Sequence, residues 1–253
     1  MVLMPPLLSR QVGLWLLIGF LLVLIPITAV SSSVNWLDLD PAGLTRFFSV
    51  LTQTAGKEGF VITLMLLIFW TYWRAPNFRH QWLNHGIQLA LLLSFTMVAK
   101  VGLKQVTHSP RPYTEVMVQR LIIPSEEHFY RLDHQQQEAA VTLMAEKVSP
   151  YRLLAWQQER DFSFPSGHTA FAVACLLFFG GLLLEQKRWV SVAALFSWSV
   201  MVGLSRLWLG MHRPEDLWGA AILVGVFYVC IPRRYPGLEQ AISLILRMKK
   251  KMG

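Results

Sequence analysis

Apolar residues gather into six long runs, at roughly 12–30, 59–74, 86–103, 167–184, 189–205 and 217–232, with polar stretches between them. None of the runs alternates apolar with polar residues, as the strands of a membrane barrel would. A helix needs about 20 residues to cross the hydrocarbon, with about 17–25 the usual range. The second and sixth runs are short for this unless they borrow interfacial aromatics, and Trp70, Tyr72, Trp73, Trp218 and Tyr228 are at hand. Irregular backbone cannot face lipid. The pattern therefore predicts an all-α protein, an integral membrane bundle of six transmembrane helices. The first run follows Arg10 and precedes Ala29-Val30-Ser31-Ser32, a flank that a signal peptide would also show. Its apolar stretch exceeds the about 7–15 residues of a signal, so it reads as an anchor.

Between the third and fourth runs lies the one substantial extramembrane region, about 105–166. Gln135, Gln136, Gln137, Glu138 and Ala139 suit a helix that Pro150 would end. Leu153, Leu154 and Trp156 predict a second short helix lying on the membrane. The shorter 31–58 connection reads as a loop. There is no internal repeat or low-complexity tract, so residues 1–253 read as a single membrane domain with an extramembrane insertion at about 105–166.

Composition agrees with a membrane protein. Apolar residues make up 54% of the chain and charged residues 15%, where a soluble domain carries about a quarter. The net charge of +8 does not call for nucleic acid, because basic residues also set topology. Arg10, Arg74, Arg79, Lys187, Arg188, Arg233, Arg234 and the tail residues Arg247, Lys249, Lys250 and Lys251 fall on one set of connections. An excess of Lys and Arg marks the cytoplasmic side. Both termini are then cytoplasmic, and the long insertion lies on the opposite, periplasmic or extracellular side. Cys175 and Cys230 sit in apolar runs, so neither a disulfide framework nor a cysteine metal site is expected.

Three polar motifs border these runs on the outer side. Lys104 is followed after six residues by Arg111-Pro112, Phe164-Pro165-Ser166-Gly167-His168 opens the fourth run, and Ser205-Arg206 leads to His212, Arg213, Pro214 and Asp216. Ser166 can cap a helix whose free N–H groups suit phosphate, and Gly167 lets backbone approach a ligand. Pro214 fits a first helical turn, which brings the Asp216 carboxylate within reach of the His212 imidazole. An imidazole oriented in this way can attack or act as a base. Arg206 ends the fifth run near the surface. Arg111 can grip phosphate oxygens as a fork, with Lys104 as a point charge. Each motif alone also has a plain reading, as a helix cap, a dipole partner or an interfacial cation. Together they supply cations, imidazoles and a carboxylate at one membrane face, where ionisable residues point to function. No Walker loop, His-Glu-x-x-His or magnesium-type Asp cluster is present. A phosphoryl transfer without metal needs cations in its place, and Lys104, Arg111 and Arg206 provide three. These features leave open which histidine attacks.

The three motifs resemble the signature set of the type 2 phosphatidic acid phosphatase family, with no departure in the residues that matter. The resemblance implies a six-helix phosphatase of the bacterial inner membrane, working at the periplasmic face without a cofactor or metal. It implies that His212 attacks phosphorus, that Asp216 orients it, and that His168 protonates the leaving group. Lys104, Arg111, Ser166, Gly167 and Arg206 would hold the phosphate. The partners implied are the bilayer and membrane lipid phosphates: phosphatidylglycerol phosphate, undecaprenyl diphosphate, phosphatidic acid and diacylglycerol pyrophosphate. A vanadate-dependent haloperoxidase shares the motif set, but six membrane runs argue against it. His80, His85, His108, His128 and His134 match no motif, although His108 lies in the first motif's spacer and could line the site.

Overall fold

The computed structural model describes residues 10–31 and 41–235. The basic tail beyond residue 235, and with it part of the topology argument, lies outside the described residues. Among the described residues the protein is helical, with no strand.

Helix α1 (Arg10–Ser31) runs unbroken through Pro26. It is followed by α2 (Ala42–Gln53), α3 (Phe60–Arg74), the short α4 (Pro76–His80) and α5 (Trp82–Thr107). Four short helices then fill the insertion: α6 (Pro112–Gln119), α7 (Glu126–Arg131), α8 (His134–Thr142) and α9 (Pro150–Gln158). The next long rod is α10 (Gly167–Cys175), a π-helical turn at Leu176–Gly180, and α11 (Gly181–Glu185). The last two helices are α12 (Trp189–Trp208) and α13 (Pro214–Cys230). Four stretches are long and apolar enough to cross a membrane: α1, the stretch holding α5, the α10–α11 rod and α12. α3 is apolar but has 15 residues, and α13 has 17.

Two buried clusters organise these rods. The larger joins the long helices, with Phe20, Leu24, Leu92, Phe178, Ala220 and Val224 at its centre. The α10–α11 rod is its axis and packs on α1, α12 and α13. The outer faces of α3 and α5 present Ile62, Met65, Leu66, Phe69, Phe95, Val98 and Val101, apolar surface that suits lipid rather than water. The second cluster belongs to the insertion. Tyr113, Met117, Phe129, Val141, Met144 and Trp156 meet Leu209 and Met211 from the connection between α12 and α13. Tyr113 and Trp156 stack at 5.1 Å.

Three expectations need correction. Residues 42–53 form a helix, not loop. Its polar face, Thr45, Ser49 and Thr52, turns inward while Leu44, Phe47 and Val50 are exposed. Its twelve residues are too few for a span, so a search for membrane-length runs passes over it. Pro150 does not end the Gln135–Ala139 helix, which stops at Thr142; it opens α9 at the position where a missing N–H costs nothing. Finally, α9 does not lay Trp156 on the membrane. That indole is fully buried and donates to the Leu209 carbonyl at 2.7 Å, which satisfies its polar end inside a core.

Candidate active site

Three local devices bring the motifs together. Ser166 caps α10, accepting from the Thr169 N–H at 3.4 Å and from the Thr169 hydroxyl at 3.0 Å. This places Gly167 and His168 in the first turn. Pro214 starts α13, so that Asp216 sits one turn above His212. The Arg111 backbone is extended just before Pro112 opens α6, and its N–H donates to the Tyr130 hydroxyl at 2.9 Å.

His212 is held on one edge and free on the other. Its Nδ1 lies 3.1 Å from Asp216 Oδ2 and 3.2 Å from the Ser163 hydroxyl. The same carboxylate oxygen accepts from the Arg213 N–H at 2.8 Å and from the Ser163 hydroxyl. An acceptor of this kind selects the tautomer with the proton on Nδ1, which leaves a lone pair on Nε2. That Nε2 lies 3.4 Å from Arg111 Nη1. Burial, reinforced by Arg111 and Arg206, drives the His212 pKa down to about 4 against the pull of Asp216. Asp216 alone would raise it, but desolvation wins, and the ring is neutral at ordinary pH.

The cations form a cradle that already holds carboxylates. Arg206 is not near the surface but almost fully buried, donating to Thr52 Oγ1 at 2.9 Å and to Glu159 Oε1 at 2.8 Å. Arg111, also buried, reaches Glu159 Oε2 at 3.1 Å and Asp161 Oδ1 at 2.5 Å. Lys104 pairs with Asp161 Oδ2 at 3.1 Å and donates to the Phe162 carbonyl. His168 Nδ1 lies 3.6 Å from Glu159 Oε1. Burial alone would push the Glu159 carboxyl up; Arg206, with His168 and Arg111, outweighs it and holds it well below the usual carboxylate range. Burial likewise opposes Arg111 and Lys104 at Asp161, whose pKa falls to about 2. Both carboxylates are therefore charged, and they occupy the cations as a phosphate group would.

All eight residues read from the motifs lie in or beside this constellation. Ser166 acts through its cap, and a side chain at Gly167 would meet Lys100, whose Nζ lies 3.3 Å from that position. His108 does not line the site; it ends α5 in a left-handed conformation and packs edge-on to Phe162 at 4.8 Å. His134 instead lines a cleft of about 500 Å³ between α3 and α5 that reaches Lys104 and His168. Phe60, Met97 and Phe171 line it together with Lys57, Lys100, Gln137, Gln158 and Arg160. Sequence reasoning missed Glu159, Asp161, Ser163, Thr52 and Gly56. A Cβ at Gly56 would stand 3.0 Å from His168 Nε2, so any side chain there would press on the imidazole. The one available signal was the run Glu159-Arg160-Asp161, two carboxylates just before the second motif.

Residues 85–237, which hold all eight, match the model of the PAP2 superfamily. Phosphatidylglycerophosphatase B of Escherichia coli is 32% identical over 209 residues, covering 80% of this chain and 81% of that protein. Phosphatidylglycerophosphatase B of Haemophilus influenzae is 30% identical over 184 residues, 69% of this chain and 75% of that one. A shorter similarity, 38% over 64 residues, links 25% of the chain to 27% of the lipid A 4'-phosphatase of Bacteroides thetaiotaomicron.

Proposed function

Because the chain belongs to the PAP2 superfamily, the type 2 phosphatidic acid phosphatases that its motifs resemble, we propose that it is a membrane lipid phosphatase using a phosphohistidine on His212. The observation that carries this reading is the two-sided setting of that ring: Nδ1 anchored 3.1 Å from Asp216 and Nε2 facing Arg111 at 3.4 Å. The Nε2 lone pair attacks phosphorus while the bond to the leaving oxygen breaks, and His168 gives that oxygen a proton. Asp216 and Ser163 hold Nδ1–H as positive charge develops on the ring. Lys104, Arg111 and Arg206 take the phosphoryl oxygens, with Ser166 and Gly167 at the α10 N-terminus, as Glu159 yields its place. Water then forms a bond to phosphorus as the P–Nε2 bond breaks. His168 takes the water's proton, and orthophosphate leaves. Three cations, Lys104, Arg111 and Arg206, stand where they can neutralise phosphoryl oxygens in place of a metal, which supports a metal-independent reaction.

The cleft beside α3 and α5 supports a lipid substrate, since Phe60, Met97 and Phe171 line it near the exposed apolar faces of those helices and Lys104 and His168 line it at the cradle. The substrates are phosphomonoesters and pyrophosphates of membrane lipids: phosphatidylglycerol phosphate, undecaprenyl diphosphate, phosphatidic acid and diacylglycerol pyrophosphate. The protein spans the bacterial inner membrane six times, through α1, α3, α5, the α10–α11 rod, α12 and α13. Its termini are cytoplasmic and its site faces the periplasm, on the side of the insertion.

The test is orthophosphate release by purified protein in detergent with excess EDTA, with phosphatidic acid and a soluble phosphate ester side by side. Faster release from the lipid, unaffected by EDTA, is expected. Loss on chelation that magnesium restores would remove the metal-free mechanism. Preference for the soluble ester, or phosphate appearing on a second lipid, would turn the reading to a soluble-ester phosphatase or a lipid phosphotransferase.

A further inference from the structure

An open groove of about 370 Å³ runs between α3 and α12. Leu66, Leu67, Leu183, Ala194, Leu195 and Trp198 make its walls apolar. It follows α3 from Trp70 to Thr63, about 10 Å of helix, which lies within the roughly 15 Å of one leaflet. None of its lining residues lines the cleft that reaches His168. Thr71 is the only buried residue of α3, so little protein packing holds that helix against its neighbours.

One end of the groove is polar and cationic. The Trp70 indole N–H donates to the Ser191 hydroxyl at 3.2 Å. The Arg74 guanidinium stands 5.5 Å from the centre of the Trp70 ring, and Arg188 Nε donates to the Arg74 carbonyl at 3.3 Å. These contacts hold two exposed arginines where the apolar walls end, and exposed Lys187 adjoins Arg188 in sequence. Glu185, the acid of that turn, acts on Arg233 and Tyr228 and does not line the groove. An apolar slot under a cationic rim matches an acyl chain under a phosphate headgroup. Basic residues at the membrane edge attract anionic lipid. A second copy of the chain fits less well, because a two-fold interface repeats one patch and would set four guanidiniums against each other.

We propose that the groove between α3 and α12 binds one acyl chain of an anionic glycerophospholipid, with its phosphate headgroup on Arg74 and Arg188. The Phe60 end of α3 lines the cleft at the cradle, so this rim lies at the opposite end of the same helix. The lipid there is held, not hydrolysed, and its chain completes the packing that α3 lacks. The proposal rests on the reading that α3 and α12 span the bilayer, and not on the phosphatase chemistry.

The test is photolabelling of the full-length protein in phosphatidylcholine vesicles. The vesicles carry a trace of phosphatidylglycerol or of phosphatidylcholine with a diazirine on the acyl chain, and labelled peptides are read by mass spectrometry. The outward face of α5 at Phe95 and Val98 serves as the reference for incidental lipid contact. Relative to that face, label at 66–70 and 190–198 should be about tenfold higher from phosphatidylglycerol than from phosphatidylcholine. Arg74→Gln combined with Arg188→Gln should bring the two lipids level, while phosphate release in detergent continues. Ala194→Phe, which fills the groove from an exposed position, should cut the phosphatidylglycerol label there. Equal labelling by both lipids in the wild type would mean incidental contact only and overturn the inference, as would full labelling of Ala194→Phe. A dimer whose interface holds Trp70 and Val190 would give the groove to a second copy and overturn it too. Absence of label from both α3 and α12 would remove the spanning reading along with the inference, a failure distinct from the loss of headgroup preference alone.

Discussion

The Glu159 carboxylate lies 2.8 Å from the Arg206 guanidinium. On the proposed mechanism a substrate phosphate and this carboxylate would compete for the same donor. Glu159→Gln keeps the shape and removes the charge. Inhibition by orthophosphate and vanadate should tighten about tenfold, because a like charge near the anion is gone. The maximal rate should fall at the same time, since Arg111, Arg206 and His168 lose a fixed partner. Weaker inhibition by both anions would show that Glu159 organises the cradle without competing for it.

His212→Ala should abolish turnover and remove an acid-labile, base-stable phosphate trapped on the wild type. His168→Ala should retain some attack on esters with good leaving groups. Near-normal turnover by His212→Ala would overturn the assignment of the nucleophile.

The pH profile follows from the His212 environment. On the proposed mechanism the neutral ring attacks, and a pKa lowered to about 4 by burial keeps this form until the pH falls through that value. The acidic limb of kcat/KM should therefore lie well below the ordinary histidine range near pH 6.5. Asp216 is the group that favours the protonated ring. Asp216→Asn should move the limb to still lower pH and reduce the rate about a hundredfold or more. An acidic limb near neutrality in the wild type would contradict the burial of His212. An unmoved limb with an undiminished rate in Asp216→Asn would reduce the carboxylate to a helix cap.

Gly56→Ala places a carbon 3.0 Å from His168 Nε2, so the imidazole must give way. Hydrolysis of alkyl phosphates, which need a proton on the leaving oxygen, should fall about tenfold more than that of nitrophenyl phosphate. An equal loss on both substrates would place the effect outside leaving-group protonation. Gly59→Ala is a contrast: its added carbon would stand 2.2 Å from the Gln53 carbonyl, and backbone cannot move aside cheaply. That variant should lose thermal stability before it shows any substrate preference.

Leu143 is 62% exposed within the insertion. Leu143→Cys in a Cys230→Ser background should react with a membrane-impermeant thiol reagent in intact spheroplasts. Labelling only after lysis would place the insertion, and the site with it, in the cytoplasm.

The long helices were legible because burial in a bilayer demands unbroken apolar length, as the run at 189–205 and the helix at Trp189–Trp208 show. Their ends were less so, because polar residues continue a helix past its apolar part: α5 runs from Trp82 to Thr107 around the apolar run at 86–103, whereas the start of α13 at Pro214 was marked by the proline itself. α2 was hidden for a related reason. Leu44, Phe47, Phe48 and Leu51 have helical spacing, but the fully buried positions are Thr45, Ser49 and Thr52, while Phe48 and Leu51 are half-buried and Leu44 and Phe47 exposed, which departs from the usual pattern. Motif spacing gathered the eight site residues. Glu159 and Asp161 escaped because acidic residues in a polar stretch ordinarily face water; only the folded chain shows that they turn into the cations. Ser163 escaped because a serine beside a proline turn has no signature of its own.

Leu209 and Met211, three residues and one residue before His212, are buried with Tyr113 and Trp156 in the second cluster. The loop that carries His212 is therefore fastened to a core made of the short helices between α5 and α10. Hydrophobic mismatch is absorbed by helices that tilt to suit the local bilayer thickness. In this protein such tilting would act first on α3 and α5, which present apolar faces outward and border the cleft that reaches Lys104 and His168. The distance from His212 to Asp216 is set elsewhere. Moving the enzyme from thin to thick bilayers should thus change how readily lipid is admitted, and leave the chemical step as it was.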